Sequence, residues 1–286
     1  MLHRRLMIFL LILCVSTTVM TGSSQSVSSR FTILLSNDDG YDAPGLRALI
    51  EALRPVGEVI VAAPAVEQSG KGHSLILRDP IFVTEKKQRD GTTWFAIDAT
   101  PASCVRLAVE SLLTRRPALV VSGINRGDNL GSTAYHSGTL GAAREAAIVG
   151  LPAIAVSIRG DDAKDYAAAA DFVRQLVEQL RRRQMLKPGL FLNVNVPAGE
   201  RKGVRLTGMS VKPRHDSFER RVSPGGRLYF WPIWKQLEDD AEGTDVWAFV
   251  RGFITVTPMA LDVTSSQGLE ALRGLDLRLP RQSEGK

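Results

Sequence analysis

Apolar residues in this chain come in short unbroken runs, and longer segments of helical periodicity lie between them. The first run, Phe31-Thr-Ile-Leu-Leu-Ser36, is apolar or β-branched and stops at turn residues, as a strand buried on both faces does. Similar runs occupy 58–63, 118–122, 153–157 and 190–196, and helical patterns occupy 44–53, 100–113, 138–149 and 163–185. Thr100-Pro101 supplies an N-cap and a first-turn proline for the second helix. This alternation predicts right-handed βαβ units, hence an α/β core with a mostly parallel sheet flanked by helices over residues 30–200. Short runs at 75–77, 81–84 and 94–97 interrupt it as a β-excursion.

Beyond Pro197 the pattern changes. Segments 204–207, 228–231 and 253–257 read as strands around a polar, basic, glycine-containing stretch at 213–226. Residues 201–286 are expected to form extended C-terminal β-hairpin arms that complete the same domain. Exposed aromatic hairpins mark protein–protein surfaces; a hairpin folded back on its own core is the other option.

A chain of 286 residues is long enough for one large α/β domain. Residues 1–29 read as an export signal and linker. His3-Arg4-Arg5 is a basic start, 6–15 is apolar but short for a membrane span, and small residues 21–24 offer a cleavage zone. The reading is an exported, periplasmic protein with no stable membrane insertion after signal removal. An uncleaved anchor or a cytoplasmic location is the alternative. Setting Arg4 and Arg5 aside lowers the net charge from +6 to +4, which suits an anionic small substrate. No basic block is long enough to argue for a nucleic-acid polymer. Removing the signal also removes Cys14 and leaves Cys104 alone, so no intrachain disulfide forms.

The candidate chemistry sits where strands end. Asn37-Asp38-Asp39-Gly40 lies between the first strand and the first helix, at the sheet edge where open α/β folds bind ligands. In a regular strand two successive acids point apart, whereas in a turn both can face one cation; an ordinary Asp-Asp-Gly turn is the plain alternative. Glu67-Gln68-Ser69-Gly70, Ser122 to Asn129, and Tyr135-His136-Ser137-Gly138-Thr139 follow other strands onto the same edge. Asp38, Asp39, a serine hydroxyl and an asparagine carbonyl are hard oxygen ligands suited to Mg²⁺, Mn²⁺ or Ca²⁺ rather than zinc or copper. Ser137-Gly138-Thr139 opens a helix whose free N–H groups favour an anion. A cation beside such a helix end is the arrangement phosphoryl chemistry requires. Each piece also has a structural reading: an N-cap at Ser137 to Thr139, αL turns at Asn125 and Asn129, and satisfied polar residues at His73, His136 and Asp98.

At these residues the chain resembles the SurE (survival protein E) family of metal-dependent nucleotidases. The resemblance runs through Ile33-Leu-Leu-Ser-Asn-Asp-Asp-Gly-Tyr-Asp-Ala-Pro-Gly-Leu46, Val61-Ala-Ala-Pro64, Gln68-Ser-Gly70 and Asp98-Ala-Thr-Pro-Ala-Ser-Cys-Val105. It continues in Val121-Ser-Gly-Ile-Asn-Arg-Gly-Asp-Asn129, Tyr135-His-Ser-Gly-Thr-Leu-Gly-Ala-Ala-Arg-Glu145, Pro224-Gly-Gly-Arg-Leu-Tyr-Phe-Trp231, Thr244-Asp245 and Gly252-Phe-Ile-Thr-Val-Thr-Pro258. It implies a Rossmann-like core with C-terminal β-arms exchanged in a homodimer or homotetramer. It also implies hydrolysis of nucleoside 5′-monophosphates, with 3′-monophosphates as a further class. A single divalent cation per subunit, Mg²⁺ or Mn²⁺ ahead of Ca²⁺, would sit on Asp38, Asp39, Ser69 and Asn125. Asn129, Ser137, Gly138 and Thr139 would hold the phosphate. Asp38 or Asp39 would serve as base. Two departures stand out: many members lack a residue at the place of His136, and the family is mostly described as cytoplasmic. Two rivals remain, an N-ribohydrolase-like enzyme that cleaves the glycosidic bond and a non-catalytic metal- or nucleotide-binding stress protein.

Overall fold

The computed structural model describes residues 31–88, 92–160, 162–213, 216–235 and 237–276. The export-signal segment, 1–22, lies outside them. The strands are β1 (Thr32–Ser36), β2 (Glu58–Pro64), β3 (Val83–Lys87), β4 (Thr93–Ile97), β5 (Leu119–Arg126), β6 (Ala153–Ile158), β7 (Phe191–Val196), β8 (Val204–Leu206), β9 (Ser217–Val222), β10 (Leu228–Ile233) and β11 (Ile254–Pro258). The helices are α1 (Pro44–Leu53), α2 (Pro101–Leu107), α3 (Gly138–Ile148), α4 (Ala163–Arg182), α5 (Asp245–Val250) and α6 (Ser266–Leu272). Among the described residues, nine strands form one sheet in the order β3-β4-β2-β1-β5-β6-β7-β11-β8. From β4 to β7 every pairing is parallel. Strands β3 and β11 run antiparallel to their neighbours β4 and β7.

The unbroken apolar runs are explained by burial on both faces. In β1, Ile33 and Leu35 pack with Leu46 and Leu49 of α1 and with Val173 of α4. Leu34 points the other way, toward Val105 of α2 and Leu140 and Ala143 of α3. Alternate residues of one strand thus feed two cores, with α1 and α4 on one face and α2 and α3 on the other. α1 buries Leu46, Leu49, Ile50 and Leu53 at helical spacing. α4 does the same with Ala169, Val173, Val177 and Leu180, and Asp162 caps it by accepting from the Asp165 N–H.

Several boundaries differ from the sequence pattern. α2 ends at Leu107 and passes into a π-helical turn at Ala108–Leu112, closed by the Leu113 N–H on the Ala108 carbonyl. β5 does not stop at Ser122. A register shift between Ser122 and Asn125 carries it on to Arg126, so Asn125 lies at a strand end rather than in a glycine-rich loop. Gly123 makes this possible: a Cβ there would stand 2.3 Å from the Val156 carbonyl oxygen. Residues 75–77 form no strand, because hydroxyls take up backbone groups in place of a ladder. The Ile76 N–H donates to Ser103 Oγ (2.9 Å), and Thr100 Oγ1 donates to the Ser74 carbonyl (2.6 Å). β3 and β4 extend the main sheet rather than standing apart. β8 and β11 also join that sheet, so among the C-terminal strands only β9 and β10 stand off as an antiparallel pair. The basic stretch at 213–226 contains β9. Among the described residues, no helix is long and apolar enough to cross a membrane.

Candidate active site

β1 has β2 on one side and β5 on the other, so the strand order reverses direction at the β1–β5 boundary. At such a switch point the loops leaving neighbouring strands separate and open a crevice at the carboxyl edge. Asp38 and Asp39 follow β1 directly, and Asn125 and Arg126 end β5. The opening of α3 closes the crevice on one face.

Asp38 is 3% exposed, and its Oδ1 accepts from Thr139 Oγ1 at 2.5 Å. Burial raises its pKa above the ordinary carboxylate value. The Thr139 hydroxyl and the N–H groups of Thr139, Asp38 and Gly138 oppose that rise. The approach requires glycine at position 138, since a Cβ there would lie 2.8 Å from Asp38 Cβ and 2.9 Å from its Oδ2. Ser137 is the N-cap of α3 and accepts from the Leu140 N–H at 3.2 Å. Ser137 therefore holds the helix end in shape, while Thr139 and Gly138 touch the acid. Asp39 is only partly buried. Burial, then the Asp38 charge, pushes its pKa up to about 7; the Arg126 N–H, donating to Oδ2 at 3.3 Å, opposes this, and Glu67 adds to it.

The remaining expected residues lie at different distances from this pair. The loop of Ser69 is tied to the site by the Gln68 N–H, which donates to the Asp38 carbonyl at 2.7 Å. Ser69 itself is exposed and donates to Glu67 Oε1 at 2.8 Å. Asn125 Nδ2 donates to the Gly127 carbonyl at 2.6 Å, which leaves the amide oxygen as the group available to a ligand. Asn129 is held in a buried polar network. Its N–H donates to Asn195 Oδ1 (2.7 Å), its Nδ2 to Ser157 Oγ (2.8 Å), and its carbonyl accepts from Asn193 Nδ2 (2.9 Å). The structure therefore brings Asp38, Asp39, Gly138 and Thr139 together directly, ties in Ser69 through Gln68 and Glu67, and anchors Asn129 from behind.

Sequence reasoning missed several groups that build the site. Glu145 of α3, wholly buried, accepts from Arg106 Nε at 2.5 Å and lies 2.7 Å from His73 Nε2. It thereby clamps the loop after Ser69 onto α3. Asp245, also wholly buried, accepts from the N–H groups of Gly131, Ser210 and Val246, each at 2.8 Å, and fixes the loop that carries Asn129. A visible signal existed for some of these: Asn193 and Asn195 are amides inside an apolar strand, and Glu145 is an acid within an alanine-rich helix.

The donor set fits a hard divalent cation. Two adjacent carboxylates share the edge, and the Asp38 charge adds to burial in raising the proton affinity of Asp39. Ser36 Oγ and Ser122 Oγ, paired across β1 and β5, and Asn37 Oδ1 are buried there without a hydrogen-bond partner. Among the described residues no three His, Cys, Asp or Glu side chains cluster as a metal site. Neutral oxygens would have to complete the coordination, as they do for Mg²⁺, Mn²⁺ and Ca²⁺.

Together these features define a doubly wound α/β protein with an oxygen-rich acid site at its switch point. Residues 33–216 match the family model described as "Survival protein SurE". A protein named "5'-nucleotidase SurE" from Desulfitobacterium hafniense (strain DSM 10664 / DCB-2) is 41% identical over 255 residues, covering 87% of this chain and 99% of that protein. One of the same name from Geotalea uraniireducens (strain Rf4) is 45% identical over 250 residues, covering 86% and 99%. The crystal structure of the SurE protein from Aquifex aeolicus superposes with a TM-score of 0.73 at 35% identity, covering 84% of this chain and 98% of that one. The chain belongs to the SurE family.

Proposed function

We propose that the protein is a divalent-metal-dependent phosphomonoesterase that hydrolyses nucleoside 5′-monophosphates, and 3′-monophosphates as a further class, to nucleoside and phosphate. The observation that carries this reading is the Asp38–Asp39 pair set against the N-terminus of α3 in a chain of the SurE family. Asp38, Asp39, Ser69 and Asn125 would hold the cation, with Mg²⁺ and Mn²⁺ ahead of Ca²⁺. The cation supplies charge for the phosphate oxygens and lowers the pKa of a bound water. Gly138 and Thr139 hold Asp38 through their N–H groups and the Thr139 hydroxyl, and the positive end of the helix they open favours the phosphate charge, with Ser137 holding the turn. Asn129, fixed by Asn195 and Ser157, would be the further phosphate-holding residue. Asp39 is the better base by position, because Asp38 already accepts from Thr139 whereas Asp39 is only partly buried. Incubation with AMP and Mn²⁺ tests the reading. Phosphate release supports it, adenine release would indicate a ribohydrolase, and binding without turnover would indicate a non-catalytic protein.

We further infer that the β9–β10 ribbon joins copies of the chain into a homodimer or homotetramer. All twelve of its residues are exposed, including Phe218, Tyr229, Phe230 and Trp231. An isolated two-stranded ribbon is marginal in water, so a second copy covering it supplies the missing burial. The basic and apolar start of the chain, residues 3–15, supports export to the periplasm. N-terminal sequencing of protein recovered from the periplasm tests this.

A further inference from the structure

The acid pair divides the crevice in two. Thr139 and Gly138 stand on the α3 side. On the other side a cavity of about 330 Å³ opens between the start of α1, the end of β5 and α4, walled by Asp39, Pro44, Gly45, Glu67, Arg126 and Tyr166. That volume falls at the lower end of the roughly 300–1,000 Å³ of small-molecule sites. The floor is preformed: a Cβ on Gly45 would stand 2.0 Å from the Ile124 carbonyl oxygen and 3.0 Å from Tyr166 Cε1. Pro44 fixes the backbone at the first turn of α1. Tyr166, at 5% exposure, is held in the core cluster of α1 and α4. The rim carries two exposed side chains of opposite charge, Arg126 and Glu67. The Arg126 backbone is fixed by its N–H on Asp39 Oδ2, so the guanidinium leaves from an anchored point.

Asp39 lines this cavity, and its neighbour Asp38 is the acid that Thr139 and Gly138 hold. A phosphoryl group held at the α3 end would place its ester oxygen toward Asp39 and direct the leaving group to the cavity that Asp39 lines. We propose that this cavity is the nucleoside subsite of the phosphomonoesterase reading on which the inference rests. The base lies against the Arg126 guanidinium and the ribose hydroxyls donate to Glu67. A guanidinium plane stacks on any base, because every base has a π-face, so the subsite selects a nucleoside over a simple alcohol without choosing among bases. The larger groove lined by Arg54, Trp94 and Arg115 lies at the opposite end of the strands, against the starts of β1, β2 and β4, and does not reach the acid pair.

The test compares AMP, ribose 5-phosphate and inorganic phosphate as probes of the Mn²⁺-loaded full chain, by equilibrium binding and by KM. Arg126→Ala should weaken AMP about tenfold or more and leave ribose 5-phosphate and phosphate within twofold, with an unchanged melting temperature. Arg126→Lys keeps the charge and loses the plane, so it should follow the alanine variant. Equal losses on all three probes, no loss on AMP, or a lysine variant indistinguishable from wild type would each overturn the subsite. Glu67→Gln should narrow the preference for AMP over 2′-deoxy-AMP, and an unchanged ratio would remove Glu67 from it. The two readings fail separately. Wild-type hydrolysis of AMP without Arg126 dependence sinks the subsite alone, and Arg126-dependent AMP binding without phosphate release sinks the nucleotidase reading alone.

Discussion

The crevice at β1 and β5 and the β9–β10 ribbon invert the usual distribution of polar and apolar groups in opposite ways. The crevice buries acids: Asp38 is 3% exposed, and Glu145 and Asp245 are wholly buried. The ribbon exposes aromatics: Phe230 is 54% and Trp231 56% exposed. Burying a charge is tolerated only where hydrogen bonds or opposite charges meet it. Asp38 has Thr139, Glu145 has His73 and Arg106, and Asp245 has three backbone N–H groups. Among the described residues the ribbon's compensation is local: Arg221 lies over the Trp231 ring at 5.5 Å and pairs with Glu219. One region is completed from within the subunit; the other is the surface on which we propose that a second copy docks.

The comparison breaks most visibly at Asp39. Asp39→Asn keeps the volume and removes a charge, and AMP hydrolysis at limiting Mn²⁺ should fall by about two orders of magnitude or more. Near-normal turnover would detach the acid pair from the chemistry. Gly138→Ala comes next. Its Cβ would crowd Asp38 at 2.8 Å, so turnover should drop by roughly a hundredfold, with a stability loss of about 1–3 kcal/mol seen in chemical denaturation.

A paired experiment then separates support from contact. Thr139→Ala removes the hydroxyl that Asp38 accepts from, and should lower kcat/KM by on the order of a hundredfold. Ser137→Ala removes the cap, and should cost about 1 kcal/mol with little effect on rate. If the two variants exchange phenotypes, their roles are reversed.

Glu145 gives a smaller effect that depends on pH. Burial raises its pKa, but His73 and Arg106 outweigh that and hold it below the ordinary value of 4.5. Its contribution is therefore complete above about pH 4.5 and is lost as the pH falls through the lower folded value. Glu145→Gln should flatten the fall of melting temperature below pH 4.5, and an unchanged acid limb would assign that fall to other carboxylates. Removal of residues 213–234 should alter catalysis least. It should yield smaller particles by light scattering, and an unchanged size would take the ribbon out of the interface.

Much of the fold was legible because its signals are local. Fully buried strands leave unbroken apolar runs, and helices between them leave 3.6-residue periodicity, so the parallel core and the edge carrying Asp38 followed from neighbours a few residues apart. The C-terminal strands were legible as strands but not in their partners. Thr255 faces Asn195 across β11 and β7, a pairing that no local pattern specifies. Asn125 was misplaced into a loop because the bulge that extends β5 depends on Gly123 lying against Val156, a residue of another strand.

The sequence by itself determined the alternation of strand and helix, the acid pair at the first strand end and the Ser137-Gly138-Thr139 helix opening, all of which rest on short-range periodicity and turn chemistry. Only the tertiary structure decided what those residues meet. Thr139 lies 101 positions from Asp38, Glu145 lies 72 from His73, and Asp245 lies 114 from Gly131. It also decided that Ser137 caps while Thr139 contacts Asp38, and that burial and the Asp38 charge push the Asp39 pKa up. A carboxylate's proton affinity is set by the water it loses and the charges packed around it, and both are known only once distant segments have closed over it.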